Sequence, residues 1–418
     1  MTQISETLLD RNPWWKGEFE LTFNERTVHK ELDRFMQLPQ VIALTGLRRV
    51  GKTTLMLRLA KDRYEAGLDA RDIIYFSFDE FRGARIRDII REYERIMGVT
   101  FAKGERVLLL DEIQKLDDWE NQLKAVYDTY KGSVKIIVSG SESLFIRRRS
   151  RATLAGRLFE FRVEPLTFRE YLGFKGVAFE PVGLHEGDLA VLFREFTLTQ
   201  GFPELVGITD RTIVHKYLRE SIVEKVIYRD MPGLFGARDA AVIESLLNII
   251  MESPGRIVLL SELADLLNVS RQTVSNYLSY LEDSFLVRKL YNYSTNRGKV
   301  ERKLKKYYPT ILSVDLAFRD DALSVSRTFE WMMVQQLGAE FFWRDPYRNE
   351  VDIVLTDDGG PVPVEVKSGR SAVKGLLAFM RKFDVDKGYI VTPDREGERE
   401  VNGRTVSTVP AYRLLLER

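Results

Sequence analysis

The stretch GLRRVGKTT near the N-terminus constrains the fold of this chain more than any other segment. It follows the strand-like run VIALT and precedes LMLRLAKDRYEAG, which has the periodicity of a helix. Gly46, Gly51, Lys52 and Thr53 match the pattern G-x-x-x-x-G-K-[ST]. In this pattern the glycines let backbone N–H groups surround phosphates, while the lysine and the hydroxyl reach the terminal phosphates and a Mg²⁺ ion. The order of strand, loop and helix therefore predicts a nucleotide-binding loop.

We expect the loop and the first turn of the following helix to bind ATP with Mg²⁺ as cofactors. The predicted contacts are Gly46, Leu47, Arg48, Arg49, Val50, Gly51, Lys52, Thr53 and Thr54. A second run, RVLLLDEIQ, is typical of a buried parallel strand that delivers carboxylates at its C-terminal edge. We predict that Asp111 holds Mg²⁺ together with Thr53, and that Glu112 orients and deprotonates the attacking water. A glutamate beside the aspartate favours hydrolysis over binding alone.

A third run, KIIVSGSES, predicts another buried strand in the same sheet. Ser139 or Ser141 at its end is predicted to contact the γ phosphate. A simple turn explains these two serines equally well.

These motifs resemble those of the P-loop ATPases of the AAA+ class. They are more closely similar to a prokaryotic, largely archaeal group in which such a module is joined to a C-terminal nuclease-like domain. The shorter matching stretches are LAGR (Leu154 to Arg157), EPLTFREY (Glu164 to Tyr171), TQGFPE (Thr199 to Glu204) and YRD (Tyr228 to Asp230). The resemblance covers most of the chain, and its ATPase motifs are the specific ones.

The resemblance also implies an arginine that neutralises charge on the transferring phosphate, often supplied by a neighbouring subunit. A homo-oligomer is therefore a candidate assembly. The arginines available in RRRSRATLAGR are Arg147, Arg148, Arg149, Arg151 and Arg157, of which the resemblance favours Arg157. Binding nucleic acid or solvating a loop is the alternative role for this group.

The length and composition of the chain restrict the classes of protein to which it can belong. A length of 418 residues predicts two to four domains. The chain has no cysteine and three histidines, which excludes disulfides and thiolate metal sites and argues against a histidine zinc site. Because no segment approaches the ~20 apolar residues that span a bilayer, and because the N-terminus is too polar for a signal peptide, we expect a cytoplasmic protein with no membrane partner.

A pair of short helices is predicted in LLSELADLLNVSRQTVSNYLSYLEDSFLVRKL, with NVS as the turn and Ser261 and Ser270 as N-caps. The apolar seam that the pattern predicts consists of Leu263, Leu266, Val269, Val274, Leu278 and Leu281. The outward side chains on the second helix are Arg271, Gln272, Ser275, Asn276 and Ser279, of which arginine, glutamine and asparagine best suit base edges in a major groove. The spacing is that of a helix-turn-helix, and DNA is the favoured partner.

The segment 286–306 carries eight lysines and arginines against one acid, Glu301. Such a local basic field attracts phosphates and resembles a wing, in which we expect Arg297 and Lys299 to contact nucleic acid. The alternative is that this basic segment is a solvated linker and that the helix pair before it serves for packing or for binding a protein partner.

The last hundred residues predict a helix, three strands, a helix and a strand, an order that resembles the core of the PD-(D/E)xK nucleases. In PVPVEVKSG, Glu365 and Lys367 lie two residues apart on a strand and therefore share a face. The resemblance implies that Asp352 and Glu365 bind Mg²⁺, that Lys367 stabilises charge on the scissile phosphate, and that Glu330 on the preceding helix joins them.

Each of these residues has a plainer interpretation as part of the solvated surface. The alternatives are an ion pair of Glu365 with Lys367, an ion pair of Asp352 with Arg344 or Arg348, and Glu330 as a surface acid of a helix.

The expected fold class is α/β, with a P-loop AAA+ type parallel sheet, a helical lid, a winged-helix domain and a C-terminal restriction-endonuclease-like α/β domain. The predicted parts are 1–165 for the N-terminal segment and ATPase core, 166–250 for the lid, 251–306 for the winged helix and 307–418 for the nuclease-like domain. We expect an ATPase that binds nucleic acid, with Mg²⁺-dependent cleavage by the last domain as an option. The alternative is a slow nucleotide-gated switch that binds DNA or a protein partner without cleavage.

Overall fold

The computed structural model describes residues 3–417 except 80, 82, 142–151, 237–238, 297, 299, 301–303, 358 and 370–372, with the backbone alone for Leu234 and Asp357. The chain divides into two compact units, an N-terminal unit, Met1–Glu164, and a C-terminal unit, Pro165–Arg418. The first boundary predicted from the sequence lies one residue further on.

The N-terminal unit is built on five parallel strands flanked by helices. The strands are β1 Val41–Thr45, β2 Ile73–Ser77, β3 Arg106–Asp111, β4 Val134–Gly140 and β5 Leu158–Arg162. The helices are α1 Gln3–Arg11, α2 Thr27–Met36, α3 Lys52–Glu65, α4 Ile86–Met97 and α5 Trp119–Tyr130. The strand order is β2-β3-β4-β1-β5 and every neighbouring pair is parallel. Burial of both faces explains why these strands are nearly continuous apolar runs.

The position of β4 between β1 and β3 determines which loops meet. Leu44 of β1 pairs with Ser139, and Leu110 of β3 pairs with Val138. The loop after β1 and the carboxylates at the end of β3 therefore lie on either side of the last residues of β4, at the C-terminal edge of the sheet.

The C-terminal unit begins with helices and continues with a large sheet. Its helices are α6 Phe168–Phe174, α7 Glu186–Thr199, α8 Arg211–Leu218, α9 Met231–Phe235, α10 Ala240–Glu252, α11 Leu260–Leu267, α12 Arg271–Asp283, α13 Val314–Ala317, α14 Ala322–Gln336, α15 Lys374–Phe383 and α16 Ala411–Glu417. The helical character predicted for 166–250 is present, and its role as a lid stays a prediction. Within the described residues, no helix has the length and apolar character needed to cross a membrane.

Nine strands form the mixed sheet of the C-terminal unit, in the order β13-β14-β12-β11-β10-β9-β7-β8-β6. They are β6 Arg256–Ile257, β7 Val287–Asn292, β8 Lys305–Pro309, β9 Phe341–Arg344, β10 Glu350–Asp357, β11 Gly360–Val366, β12 Lys387–Thr392, β13 Gly397–Val401 and β14 Arg404–Pro410. Because β7 pairs with β9, the predicted winged-helix and nuclease-like parts share this sheet. β8 runs across the boundary predicted at 306/307, and the threefold subdivision of this unit stays a prediction.

Two details of the predicted helix pair are corrected by the structure. Leu266 is 67% exposed, whereas Leu263 and Ala264 are buried. At 100° per residue, Leu266 lies on the far side of α11 from Ala264, so it cannot join the seam. Ser261 lies inside α11, which begins at Leu260 without a side-chain cap. Ser270 does cap α12, because its side chain accepts a hydrogen bond from the Thr273 backbone N–H.

Candidate functional site

The loop between β1 and α3 has a backbone that only glycine allows at two positions. Gly46 has φ +144°, and a Cβ there would lie 2.2 Å from the carbonyl oxygen of Val163. Gly51, directly before α3, has φ +94°. Both values are unfavourable for residues with a Cβ. The two glycines therefore allow a tight loop to end at the N-terminus of a helix, the geometry that binds phosphate groups.

The Lys52 side chain turns back over this loop. It is 6% exposed, and its Nζ donates to the carbonyl oxygens of Gly46 at 3.0 Å and of Leu47 at 2.8 Å. A buried ammonium held by neutral carbonyls beside a helix N-terminus is well suited to a phosphate, which offers it a stronger, charged acceptor.

Asp111 at the end of β3 is oriented by hydrogen bonds to both of its oxygens. Its Oδ2 accepts from the Thr53 hydroxyl at 2.8 Å and from the Tyr75 hydroxyl at 2.9 Å. Its Oδ1 accepts from the Ser139 hydroxyl and from the Glu112 backbone N–H, the latter at 3.1 Å. The structure thus brings together Thr53 and Asp111, the two residues predicted to hold Mg²⁺. Their oxygen donors are of the kind that this ion prefers.

Ser139 lies between these groups rather than at the surface. It is fully buried, and besides bonding to Asp111 its Oγ accepts the Glu112 backbone N–H at 3.2 Å. In this structure the serine orients the two acidic residues, and its predicted contact with the γ phosphate remains a prediction.

Glu112 has a backbone conformation that is unusual for its residue type, with φ +54°. The Gln114 side chain donates to Glu112 Oε2 at 2.7 Å and to the Ser141 hydroxyl at 3.1 Å. Burial and the neighbouring Asp111 charge raise the pKa of Glu112, against the attraction of Lys52. A positioned carboxylate with a raised pKa is a stronger base than an ordinary glutamate, which is what proton abstraction from water requires.

Two residues that contribute to this site were not predicted from the sequence. Tyr75 on β2 donates to Asp111, and burial together with that charge raises the pKa of its hydroxyl, so it remains a donor. Arg26 precedes α2, is 6% exposed, and donates from Nη1 to the Val50 carbonyl at 2.9 Å and from Nη2 to the Glu164 carbonyl at 2.8 Å. Arg26 therefore supports the phosphate-binding loop from outside the motif.

Replacing Arg26 by methionine is expected to loosen this loop. Two hydrogen bonds from a buried guanidinium are lost, so we expect the free energy of unfolding of the N-terminal unit to fall by about 2–4 kcal/mol. ATP should also bind several-fold more weakly. Urea unfolding and titration with a fluorescent ATP analogue measure the two effects. Arg34→Met on the exposed face of α2 is the matched control, and equal behaviour of the two variants would contradict the assigned role.

Arg157 is not brought to the nucleotide loop of its own chain. It forms an ion pair with Asp128, from Nε to Oδ1 at 2.9 Å, and its carbonyl accepts from the Val41 backbone N–H. Val41 begins β1, whereas the loop follows the other end of that strand, roughly 15 Å away at ~3.3 Å per residue. The predicted contact of Arg157 with the nucleotide of a neighbouring subunit stays a prediction. Arg147, Arg148, Arg149 and Arg151 lie outside the described residues.

The acidic residues of the C-terminal unit converge on one face of its sheet. Ile353 pairs with Val364 in the antiparallel ladder of β10 and β11, which places Asp352 opposite Glu365, one step along. Both residues are 7% exposed. The Lys367 Nζ lies 2.7 Å from Glu365 Oε1 and 3.8 Å from Asp352 Oδ2. The ion pair expected in the plainer interpretation is present, but it is partly buried and includes both carboxylates.

One carboxylate oxygen in this cluster has no partner among the described residues. Glu365 Oε2 is buried and accepts no hydrogen bond. Burial and the adjacent Asp352 charge raise the pKa of Glu365 to about 8, despite the opposing effect of Lys367. In the described part of the chain no three acidic or histidine side chains form a metal site unaided. Two facing carboxylates with an unpaired oxygen still fit a Mg²⁺ ion that takes its other ligands from water or phosphate.

Glu330 on α14 belongs to the same charged network. Its Oε1 accepts from the Tyr308 hydroxyl at 2.6 Å and lies 3.6 Å from the Lys306 Nζ. Lys306 also lies 2.6 Å from Glu350 Oε1. Burial and the Asp352 charge raise the pKa of Glu330, against Lys306 and the Tyr308 hydrogen bond. Arg344 pairs with Glu350 at 3.4 Å, and the ion-pair partner recorded for Asp352 among the described residues is Lys367.

Lys306 corrects the prediction that the whole 286–306 segment is a basic wing. It is 4% exposed because side chains alternate along β8, which sends Lys306 and Tyr308 towards the acidic cluster. Lys289 is likewise engaged, with its Nζ 2.6 Å from Glu282 Oε2. Arg297 and Lys299, the two predicted nucleic-acid contacts, lie outside the described residues.

The polar face predicted on the second helix is exposed. Arg271, Gln272, Ser275 and Asn276 all lie on the solvent side of α12, with Val274 and Leu278 buried on the other side. The Gln272 Nε2 donates to the Asn276 Oδ1 at 2.9 Å. These side chains are accessible to a partner, and their contact with DNA stays a prediction.

Family models match three parts of the chain. The model described as an AAA domain covers residues 38–172, which include β1, the loop, Asp111 and Glu112. Two models described as domains of unknown function cover residues 191–313 and 330–412. The resemblance to an AAA domain is thereby confirmed for residues 38–172, whereas the winged-helix and nuclease-like assignments stay predictions.

Relatives align over long stretches at low identity. An uncharacterized protein of Methanocaldococcus jannaschii is 24% identical over 96% of this chain and 91% of its own length. A second uncharacterized protein of that organism is 25% identical over 66% of this chain. The match covers 62% of that relative's own length, which is less than two thirds. An uncharacterized protein of Mycobacterium tuberculosis is 25% identical over 94% of this chain and 85% of its own length.

Solved structures show weaker likeness. AMPPCP-bound DnaA from Aquifex aeolicus has a TM-score of 0.29 and 18% identity over 63% of this chain and 90% of that chain. The Hsp104–ADP complex of S. cerevisiae has a TM-score of 0.32 and 15% identity over 80% of this chain and 45% of that chain. These scores are too low to assign a ligand or an activity.

Proposed function

We propose that this chain is a Mg²⁺-dependent ATPase that binds nucleic acid through its C-terminal unit and couples that binding to its nucleotide state. One observation carries the ATPase part of the proposal. Lys52, the hydrogen-bonded pair of Thr53 and Asp111, and the buried Glu112 lie together at the C-terminal edge of the parallel sheet. These are the donor, the metal ligands and the base that phosphoanhydride hydrolysis needs.

Each side chain has a role in this proposal. The ATP phosphates bind along the backbone of residues 46–53, where Lys52 exchanges the carbonyls of Gly46 and Leu47 for phosphate oxygens. Mg²⁺, when bound with ATP, supplies positive charge at the transferring phosphate. Thr53 and Asp111 are the residues that would hold the ion. Glu112 accepts a proton from water, and Gln114 fixes the orientation of its carboxylate.

Nucleic-acid binding is supported by the arrangement around α12. The helices α10, α11 and α12 are followed by β7 and β8, and β6 pairs with β8 in the same antiparallel set. This is the order that a winged helix requires. The exposed Arg271, Gln272 and Asn276 side chains offer donors and acceptors to base edges.

A Mg²⁺-dependent nuclease is the second candidate function, and the unpaired Glu365 Oε2 favours it. Asp352 and Glu365 would hold the ion, which supplies a Lewis acid for a phosphodiester. Lys367, 2.7 Å from Glu365, is placed to neutralise charge that develops on the phosphate. A fold of this kind does not by itself prove cleavage, so the carboxylates need their own test.

The proposed function is tested by one panel on the full chain. We expect Mg²⁺-dependent ATP hydrolysis that is stimulated several-fold by at least one of single-stranded DNA, double-stranded DNA and RNA. Gel analysis of the same reactions measures cleavage, which should vanish in Asp352→Ala and Lys367→Ala. Tight ATP binding with a slow turnover that no nucleic acid changes would instead identify a nucleotide-gated switch.

A further inference from the structure

A groove in the C-terminal unit has no role in the function described so far. It has a volume of about 980 Å³ and is open to solvent. It is lined by residues of β6, α11, β7, β9 and α15 and by the turn after β9. Among the described residues that line it, four are cationic, Arg256, Arg344, Arg348 and Lys382, and two are acidic, Glu262 and Asp345. The lining therefore carries an excess of positive charge, which attracts an anionic chain, beside apolar side chains such as Ile257 and Phe383.

Of the two acidic side chains, one is compensated by a lining cation and the other keeps its charge. Glu262 is paired with Arg256 at 3.1 Å. The Asp345 carboxylate accepts hydrogen bonds from the Asn349 backbone N–H at 2.9 Å and from the Asn349 side chain at 2.8 Å. These bonds fix the turn between β9 and β10. Because Arg344 pairs with Glu350, the described lining cations that remain against the Asp345 charge are Arg348 and Lys382.

The same turn carries an exposed aromatic residue. Tyr347, between the lining residues Pro346 and Arg348, is 86% exposed. Arg348 has φ +64°, a left-handed conformation that is uncommon for arginine. The Asp345 hydrogen bonds hold this turn in a conformation that strains the Arg348 backbone, and backbone strain of this kind concentrates at binding sites.

Lys382, which lies on α15, is held in place by aromatic rings. Its Nζ lies 5.3 Å from the centre of the Trp343 ring and 5.4 Å from that of Phe383. These cation–π contacts restrict the lysine, so less side-chain entropy is lost when it meets a phosphate.

The groove is linked to the acidic cluster by a chain of ion pairs. Arg344 lies 3.4 Å from Glu350, which lies 2.6 Å from Lys306, which in turn lies 3.6 Å from Glu330. The lining residue Arg344 is therefore connected to the acidic cluster through these ion pairs.

We propose that this groove binds single-stranded nucleic acid, with phosphates on Arg348 and Lys382 and a base stacked on Tyr347. A single strand fits better than a duplex because its bases are free to stack on an exposed ring. The inference rests on the proposed nucleic-acid function and adds to it a second contact surface, separate from α12.

Fluorescence anisotropy of the full chain with a labelled poly(dT) oligonucleotide in EDTA tests this surface without cleavage. Tyr347→Ala is expected to weaken binding by roughly tenfold, as the loss of one stacked base does, while Tyr347→Phe keeps wild-type affinity. The double variant Arg348→Gln, Lys382→Gln should reduce the slope of log Kd against log salt by about 1.4, since two phosphate contacts are lost. Arg399→Gln on the exposed edge strand β13 is the charge control, and thermal melting checks that each variant folds.

The outcomes separate the groove from the wider proposal. If Arg271→Gln with Asn276→Ala weakens binding and all groove variants bind like wild type, the groove inference is overturned and the nucleic-acid function stands. Absence of any binding by the wild type overturns both. Competition by polyglutamate as effective as that of unlabelled poly(dT), with no effect of Tyr347→Ala, would show a general polyanion site and also overturn the inference.

Discussion

Lys52→Ala is expected to abolish ATP hydrolysis, because the ammonium it removes is the buried cation placed to meet the phosphates. The loss of such a preorganised charge lowers kcat by about 10²–10³-fold or more, and here it should also weaken ATP binding.

Glu112→Gln should behave differently from Lys52→Ala. It removes the base but keeps the shape and the hydrogen-bonding capacity of the side chain, so ATP binding persists while kcat falls by about 10²–10⁴-fold.

A coupled assay for phosphate release, together with equilibrium ATP binding, separates these two defects. Lys61→Ala is the matched control, because Lys61 is on the same helix as Lys52 but pairs with Glu65 at 3.8 Å, far from the loop. Turnover of Lys52→Ala at the wild-type rate would show that the loop is not the site of ATP hydrolysis. Equal loss of binding in both variants would show that Glu112 supports the fold of the loop rather than the chemistry.

Glu365 is expected to make the stability of the metal-free C-terminal unit fall as pH rises. The pKa of this carboxyl is raised from 4.5 to about 8, so the folded protein binds a proton more tightly than the unfolded chain does. Its stabilising contribution is complete below pH 4.5 and is lost as pH rises to about 8. Thermal melting in EDTA across this range should therefore show a decreasing Tm, and Glu365→Gln should flatten the decrease.

Adding Mg²⁺ or Mn²⁺ at pH 8 should reverse that loss in the wild type. A cation between Asp352 and Glu365 offsets their repulsion and stabilises the folded state by mass action. For a unit of this size each 1 kcal/mol raises Tm by about 2–4 °C. Glu365→Gln and Asp352→Asn should lose the metal response, while Glu400→Gln on the exposed edge strand keeps it. The same metal-induced shift in all three variants would place the ion elsewhere.

The chemistry of the nucleotide site could be predicted from the sequence because its main groups lie in two short motifs. Gly46, Lys52 and Thr53 belong to one loop, and Asp111 and Glu112 are adjacent. Residues that support them from a distance left no local pattern. Tyr75 is 36 residues from Asp111, and Arg26 is 24 residues from Val50. Such contacts depend on strand order, and nothing in the sequence showed that β2 lies beside β3.

The acidic cluster was predictable in part for the same reason. Asp352, Glu365 and Lys367 lie on a hairpin, so a period of two and one turn suffice to bring them together. Lys306 and Tyr308 lie on β8, which joins the sheet because β8 pairs with β7 and β7 pairs with β9. Their contacts with Glu330 therefore depend on the order of strands in the sheet. Charge density alone made Lys306 look like part of a basic surface. The side-chain alternation along β8 decides otherwise, and it becomes visible only once the sheet is known.

Arg157 shows that a short sequence motif does not determine where a side chain lies in the fold. Its resemblance to a phosphate-contacting arginine rests on a short motif, and the structure places it beside the first residue of β1, at the far end from the loop. A motif names a residue type, whereas only the register of β1 and β5 shows which edge of the sheet it occupies.

Equilibrium titration of the full-length Glu112→Gln variant with MgATP tests the central claim most directly, because it measures occupancy of the loop without turnover. The account predicts saturable binding of one ATP per chain that disappears when Lys52→Ala is added and survives when Lys61→Ala is added instead. Absence of saturable binding, or binding that is unchanged by Lys52→Ala, would contradict it.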